Sequence, residues 1–308
     1  MEETKRNFPH IGLAKLCGWF GISRQAYYQQ NNSEALFALE STLVVREVQQ
    51  IREKHKRIGG RKLYFMLQPF LQAHNIKMGR DALFTMLSAN FLLVRKRKRL
   101  IKTTNSYHRF KKYPNLIRGF VATAINQLWV SDITYWKING TKHVYISLIT
   151  DVYSHKIVGY HVAETLAVIE TIKALNSALL ALGPKRPIQL VHHSDRGFQY
   201  CNPDYVNLLL ANNIGISMTE NSDPLENALA ERVNGIIKEE YLYAYEVSNI
   251  KEARSLLDNV IDLYNNERPH MSIGNLMPNQ VHQTSELIEA KKLWKNYYRK
   301  QTTFVNQS

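Results

Sequence analysis

The chain has 308 residues, 44% of them hydrophobic and 21% charged, with a formal net charge of +14 and a pI near 9.6. This length suits one large or two to three small domains, and the basic charge points to a polyanionic partner. No apolar run reaches membrane-spanning length, the opening MEETKRNFPH lacks a signal-peptide stretch, and Cys17 and Cys201 are too few and too far apart for a disulfide framework or a Cys-rich zinc site.

A reduced, cytoplasmic, bacterial-type protein with no membrane partner is therefore expected. The charge is segregated. Residues 1–120 hold 23 Lys and Arg against 7 Asp and Glu, whereas the remainder holds 17 against 19. The front of the chain is an electrostatic handle for nucleic acid, and the rear is nearly neutral.

Residues 1–40 are expected to form an N-terminal helical segment with a helix-turn-helix candidate. Leu13, Leu16, Cys17 and Phe20 have helical spacing, Gly21 breaks the chain, and Ser23 can cap a second helix from Arg24. Residues 41–100 read as a helix-turn-helix-like DNA-binding domain of three helices. Val44, Val48 and Ile51 mark the first, Leu63, Leu67 and Leu71 the second, and Leu83, Met86 and Leu87 the third. Gly59-Gly60 makes a turn, and Pro69 predicts a kink or break. Arg61 and Lys62 beside that turn are candidates to face phosphate, as are Arg95, Lys96, Arg97, Lys98 and Arg99. Residues 101–121 form a basic linker with Tyr107, His108, Phe110 and Tyr113 interleaved, a composition suited to tracking a nucleic-acid backbone.

From residue 128 the texture changes, and a further domain is expected over 122–282. Leu128–Trp136, His143–Thr150 and Lys156–Val162 read as strands, with Asn139-Gly140 the hairpin signal between the first two. A helix over 165–182, a short buried strand over 188–192, a helix opened by Pro203, a strand over 214–218 and a helix over 224–241 follow. The order β-β-β-α-β-α-β-α implies a mixed five-stranded sheet with flanking helices. Residues 283–308 are a basic and aromatic tail.

Three acids stand where acids are hard to justify. Asp132 interrupts the apolar strand Trp129–Trp136, Asp195 lies just past the fourth strand, and Glu231 lies in the late helix. An unpaired carboxylate in an apolar strand is costly, yet together the three can bind hard divalent cations. Asn227, Glu231, Asn234 and Lys238 are spaced four, three and four, which makes one polar stripe on that helix.

These residues resemble a family. Trp129-Val130-Ser131-Asp132-Ile133-Thr134, His193-Ser194-Asp195-Arg196-Gly197-Phe198-Gln199-Tyr200 and Glu226-Asn227-Ala228-Leu229-Ala230-Glu231 are similar to motifs of the DDE transposases in the retroviral-integrase superfamily. The match is to the IS-three-type insertion-sequence proteins encoded by a second reading frame. The 35 residues between Asp195 and Glu231, Lys238 seven past Glu231, and Tyr264-Asn265-Asn266-Glu267-Arg268-Pro269-His270 fit that pattern. Glu226 stands where many members have Asp, and Ser222 where Gly is common. As a rival third acid, Glu226 is five residues from Glu231 and about 140° away around the helix.

The resemblance implies an α/β RNase H-like integrase catalytic core behind an all-α helix-turn-helix DNA-binding region. It further implies that Asp132, Asp195 and Glu231 are catalytic and hold two Mg²⁺, with Mn²⁺ able to substitute. Strand cleavage at transposon ends and strand transfer would proceed by direct transesterification. Lys238, Asn227 and Arg268 join the DNA-contact candidates. DNA ends and target are the expected partners, with a homodimer or higher oligomer on DNA, an upstream-frame DNA-binding protein as fusion, nucleoid association when bound, and no structural zinc.

Overall fold

The computed structural model describes residues 2–94, 108–140, 142–183, 189–220 and 227–284; the candidates Arg95, Lys96, Arg97, Lys98, Arg99 and Glu226, and the tail from 285, lie outside them. The chain divides into two compact units, Met1–Glu53 with Met66–Leu93, and Lys54–Phe65 with Val94–Ser308.

The first unit is helical: α1 (Glu2–Asn7), α2 (Leu13–Trp19), α3 (Arg24–Lys54), α4 (Gly60–Ala73) and α5 (Arg80–Ala89), with α3 and α4 running on into the second unit. Gly21 takes a φ of 66°, and the Ser23 hydroxyl accepts the Ala26 N–H at 3.0 Å, so the expected break and cap both form. The boundary expected at 40/41 falls inside α3, because no Gly, Pro or turn cluster interrupts its 31 residues. Pro69 does not end α4. Leu63, Leu67 and Leu71 stay on one buried face with Leu83 and Leu87 of α5 also buried, and that apolar stripe outweighs one missing N–H.

The second unit holds a five-stranded sheet in the order β3-β2-β1-β4-β5. Its strands are β1 (Leu128–Ile138), β2 (Lys142–Asp151), β3 (Ile157–Ala163), β4 (Val191–Ser194) and β5 (Gly215–Met218). The first three pair antiparallel, and β4 and β5 add parallel to β1. Asn139 and Gly140 have φ of 46° and 65°, both positive as a tight hairpin requires.

Helices cover both faces. On one, α6 (Val168–Leu182), the short α7 (Phe198–Cys201) and α8 (Pro203–Ala211) enclose a core with Trp129, Tyr200, Tyr205 and Ile216. Contact with α6 depends on Gly159 in β3: a Cβ there would lie 2.4 Å from the Ala174 carbonyl oxygen and 2.6 Å from the Ala178 Cβ. On the other, α9 (Ala228–Ile236) and α10 (Ile250–Asn266) bury Trp136, Val144, Ile146 and Leu148, and α11 (Pro278–Gln283) follows.

The helix expected over 224–241 is not uniform. Past Ile236 it widens into a π-helical turn, Ile237–Tyr241. Such widenings recur where a helix must re-aim its side chains.

Candidate active site

The sheet itself brings two of the three acids together. Parallel pairing matches Leu128 with Val191, Trp129 with His192 and Val130 with His193. Continued two residues further, that register sets Asp132 level with Asp195, just past the end of β4. Level residues of parallel strands project to the same face. Asp132 shares its face with Val130 and Thr134, the face that α9 covers.

Helix α9 runs along β1 and is tied to it turn by turn. Asn227, at its start, donates its amide to the Ser131 carbonyl at 3.0 Å. Ala230 packs with Leu128 and Val130. Asn234 donates to Asp132 Oδ2 at 2.8 Å, and Lys238 Nζ donates to Thr134 Oγ1 at 2.9 Å. The helix carries Glu231 in its first turn, exposed, with its charge felt by both aspartates.

Each aspartate is held by its backbone surroundings. Asp132 Oδ1 accepts the Ile133 N–H at 2.9 Å. Asp195 Oδ1 accepts the Gly197 N–H at 2.9 Å, and a Cβ on Gly197 would sit 2.9 Å from that same oxygen. Burial, the nearby charge of Asp195 and, more weakly, that of Glu231 raise the Asp132 pKa to about 7, against the opposing pull of the Asn234 and Ile133 donors. Burial and Glu231 likewise raise Asp195, while the Gly197 N–H and His108 oppose. Carboxyl groups perturbed by burial and by one another mark a candidate functional site.

The donor set fits a hard divalent ion. It consists of carboxylate oxygens, and the buried Asn234 Oδ1 beside Asp132 has no hydrogen-bond partner among the described residues. Among those residues no three His, Cys, Asp or Glu side chains are close enough to close a metal site.

Several DNA-contact candidates point inward. Asn227 is buried against β1. Arg268 is 1% exposed: its Nε and Nη2 each donate to the Glu240 carboxylate at 2.8 Å, and its Nη1 donates to His270 Nε2 at 2.9 Å. Lys62 lies 3.5 Å from the same Glu240 and is only 15% exposed. Arg61, in contrast, is exposed at the start of α4. Lys238 is half-buried, with its ammonium 4.6 Å from the Tyr135 ring centroid. Burial lowers its pKa, while Asp132 pulls the other way.

Around Asp195, His193 is buried and bonded to Ser217 at 2.8 Å, and Tyr200 lies in the core against Ser131 at 2.9 Å. Asp151 anchors the turn between β2 and β3: its Oδ1 accepts the Ser154 N–H at 2.8 Å and hydroxyl at 2.6 Å. Sequence reasoning did not single out Asn234 as the partner of Asp132, although its place three residues past Glu231 in the polar stripe was visible.

Comparison with known proteins locates these features in a family. Two models described as "Integrase core domain" match residues 122–224 and 212–278. The insertion element IS600 uncharacterized 31 kDa protein of Shigella sonnei is 35% identical over 268 residues, covering 85% of this chain and 96% of that protein. The transposase for insertion sequence element IS629 of Shigella sonnei is 29% identical over 277 residues, covering 87% of this chain and 90% of that protein. The magnesium-bound HTLV-2 integrase catalytic core domain superposes with a TM-score of 0.41 at 20% identity, over 52% of this chain and 97% of that one.

Proposed function

The chain belongs to the insertion-element transposases that carry an integrase core domain, and from that membership we propose that Asp132, Asp195 and Glu231 are its catalytic carboxylates. As a member, it is a polynucleotidyl transferase of the DDE superfamily, acting in DNA integration and transposition. What supports the site assignment is the β1–β4 register, which continued past the end of β4 sets Asp195 level with Asp132, and the charge of Glu231 acting on both.

Asp132, Asp195 and Glu231 would hold divalent cations, two Mg²⁺ or Mn²⁺ ions in our reading. Such ions, when bound, supply the Lewis acidity that activates an attacking water or DNA 3′-hydroxyl and offsets charge on the phosphate oxygens.

The rest of the chemistry is positioning and charge placement by the chain itself. The Gly197 N–H keeps one Asp195 oxygen turned inward, and Asn234 does the same for Asp132. Lys238, steadied by Thr134 and Tyr135, brings a cation to the rim where a scissile phosphate would enter. Water and then a DNA hydroxyl serve as nucleophiles, so no covalent link between protein and DNA is required. The basic front half, with Arg61 exposed on α4 and Arg95, Lys96, Arg97, Lys98 and Arg99 following α5 in sequence, would hold the element's ends. Joining two ends calls for at least a dimer on DNA, with an upstream-frame DNA-binding protein as a candidate fusion partner. Among the described residues no helix is long and apolar enough to cross a membrane.

The test is a cleavage and joining assay on labelled DNA carrying the element's ends, in Mg²⁺ or Mn²⁺, with wild type beside Glu231→Gln. Metal-dependent 3′-end cleavage and joined products, both abolished by the substitution, are expected. Undiminished activity in Glu231→Gln would remove Glu231 from the site, and cleavage without joining would reduce the protein to a nuclease.

A further inference from the structure

We propose that His108, Phe110 and Phe198 form a stacking platform for one unpaired nucleobase of the DNA substrate, beside Asp195. The proposal rests on Asp195 being a catalytic carboxylate and deepens that reading by naming what occupies the surface next to it.

The three rings are mutually packed. Phe198 and Phe110 have centroids 5.0 Å apart, His108 and Phe110 5.7 Å, and His108 and Phe198 6.1 Å. Phe110 leans on the core that contains Trp129 and Tyr200. Phe198, the outermost ring, remains 43% exposed.

The platform is fixed to the site at two points. Phe198 follows Gly197 directly, whose N–H is bound to Asp195 Oδ1. His108 Nε2–H donates to the Arg196 carbonyl at 2.8 Å, which fastens the strap around residue 108 to the loop that carries Asp195.

The surroundings say what kind of occupant fits. Arg109, Lys111 and Lys112 lie exposed on the same strap, with Lys111 5.1 Å from the Tyr113 ring centroid. A half-exposed phenyl face packed against a strap rich in cations suits a ligand with a flat apolar surface attached to an anionic chain. A nucleobase on its phosphodiester backbone is that ligand. Stacking needs a free π face, which a base inside a duplex does not offer, so the occupant is a base unpaired near the cleavage point. An acidic protein segment would satisfy the cations but has no comparable use for three packed rings.

The experiment places 2-aminopurine singly at positions flanking the scissile phosphate and records its fluorescence with full-length protein in EDTA, where no strand is cut. One position is expected to be quenched by wild type and by Phe198→Tyr, and not by Phe198→Ala. In Mg²⁺, Phe198→Ala should cut paired ends about tenfold more slowly, the scale of one base–aromatic contact. An abasic residue at the quenched position should erase that difference between variants.

Quenching indifferent to Phe198, or an equal loss on abasic and normal ends, would overturn the platform. So would self-association lost in Phe198→Ala with DNA behaviour intact, which would assign the patch to a second copy. Asp195→Asn separates the two readings: it should abolish cutting and keep the quench. Cutting by that variant would sink the catalytic assignment and leave the platform to be judged on fluorescence alone.

Discussion

Asn234 donates its side-chain amide to Asp132 Oδ2 at 2.8 Å, so the helix that presents Glu231 also orients the first aspartate. The bond keeps one carboxylate oxygen occupied and favours the ionised form of a group that burial pushes toward neutrality. Asn234→Leu, which keeps the side-chain size and removes the donor, is expected to lower the rate of end cleavage at saturating DNA at least tenfold. DNA affinity should change little, because Asn234 is buried. Asn234→Asp should be worse still, since it sets a further negative charge against Asp132. Cleavage by Asn234→Leu within twofold of wild type would show that Asp132 needs no such partner.

The same site should weaken the fold when metal is absent. An aspartate raised from 3.8 to about 7 binds more protons in the folded chain than in the unfolded chain between those values. Stability therefore falls as pH rises from about 4 to about 7 and is flat above, as far as this group is concerned. Neutralising it should help: Asp132→Asn in EDTA at pH 7.5 is expected to raise the unfolding midpoint by roughly 3–6 °C. Added Mg²⁺ should raise the wild-type midpoint more than that of the variant. A lower midpoint for Asp132→Asn at every pH would mean that the carboxylate is structurally needed in its charged form.

Gly197 is the tightest point around Asp195. A methyl group there would press on Oδ1 at 2.9 Å and turn the carboxylate away, although the backbone φ of −65° is one that alanine adopts freely. Gly197→Ala should thus cut catalysis by about one order of magnitude or more, as a displacement of around 1 Å at a reacting group does, while denaturant unfolding shifts by ~1 kcal/mol or less. A large stability loss with proportionate activity would place the strain in the fold instead.

Much of this arrangement could be read from the chain. Stretches rich in β-branched and aromatic residues marked the strands, Asn139-Gly140 the hairpin, and Asn202-Pro203 the start of α8, where Asn202 accepts the Asp204 N–H at 2.9 Å. The spacing of Asp195 and Glu231 was visible, and so was the stripe of Asn227, Asn234 and Lys238. Its direction was not, because helical periodicity groups side chains on a face without saying what the face meets. Here it meets β1, and Glu231, at the stripe's edge, is left exposed. The π-helical turn was equally hidden, and it carries tertiary ties to residues more than 170 positions away: the Arg57 N–H on the Glu240 carbonyl at 3.2 Å, and His55 on the Tyr241 hydroxyl at 2.9 Å.

Arg268 shows the same limit most sharply, because a basic residue in a nucleic-acid enzyme invites assignment to phosphate. Its guanidinium is instead locked to Glu240 in a two-point pair inside the second unit, with Lys62 close by. Removing one member strands the other, which typically costs 3–5 kcal/mol or about that. Arg268→Ala and Glu240→Ala should each reduce stability on that scale, and Arg268→Lys by less. Hydrogen bonds and the charges of Arg268 and Lys62 hold the Glu240 pKa below its ordinary 4.5 despite burial. Its contribution is thus complete at neutral pH and is lost as pH falls through the lowered value, so the stability of Glu240→Gln should fall less steeply in acid than that of wild type. For folded Arg268→Ala, a measurement at graded salt separates a structural role from a DNA contact. The slope of log affinity against log salt should match wild type, whereas loss of a phosphate contact would reduce it by about one. A reduced slope in folded Arg268→Ala would return this arginine to the DNA surface.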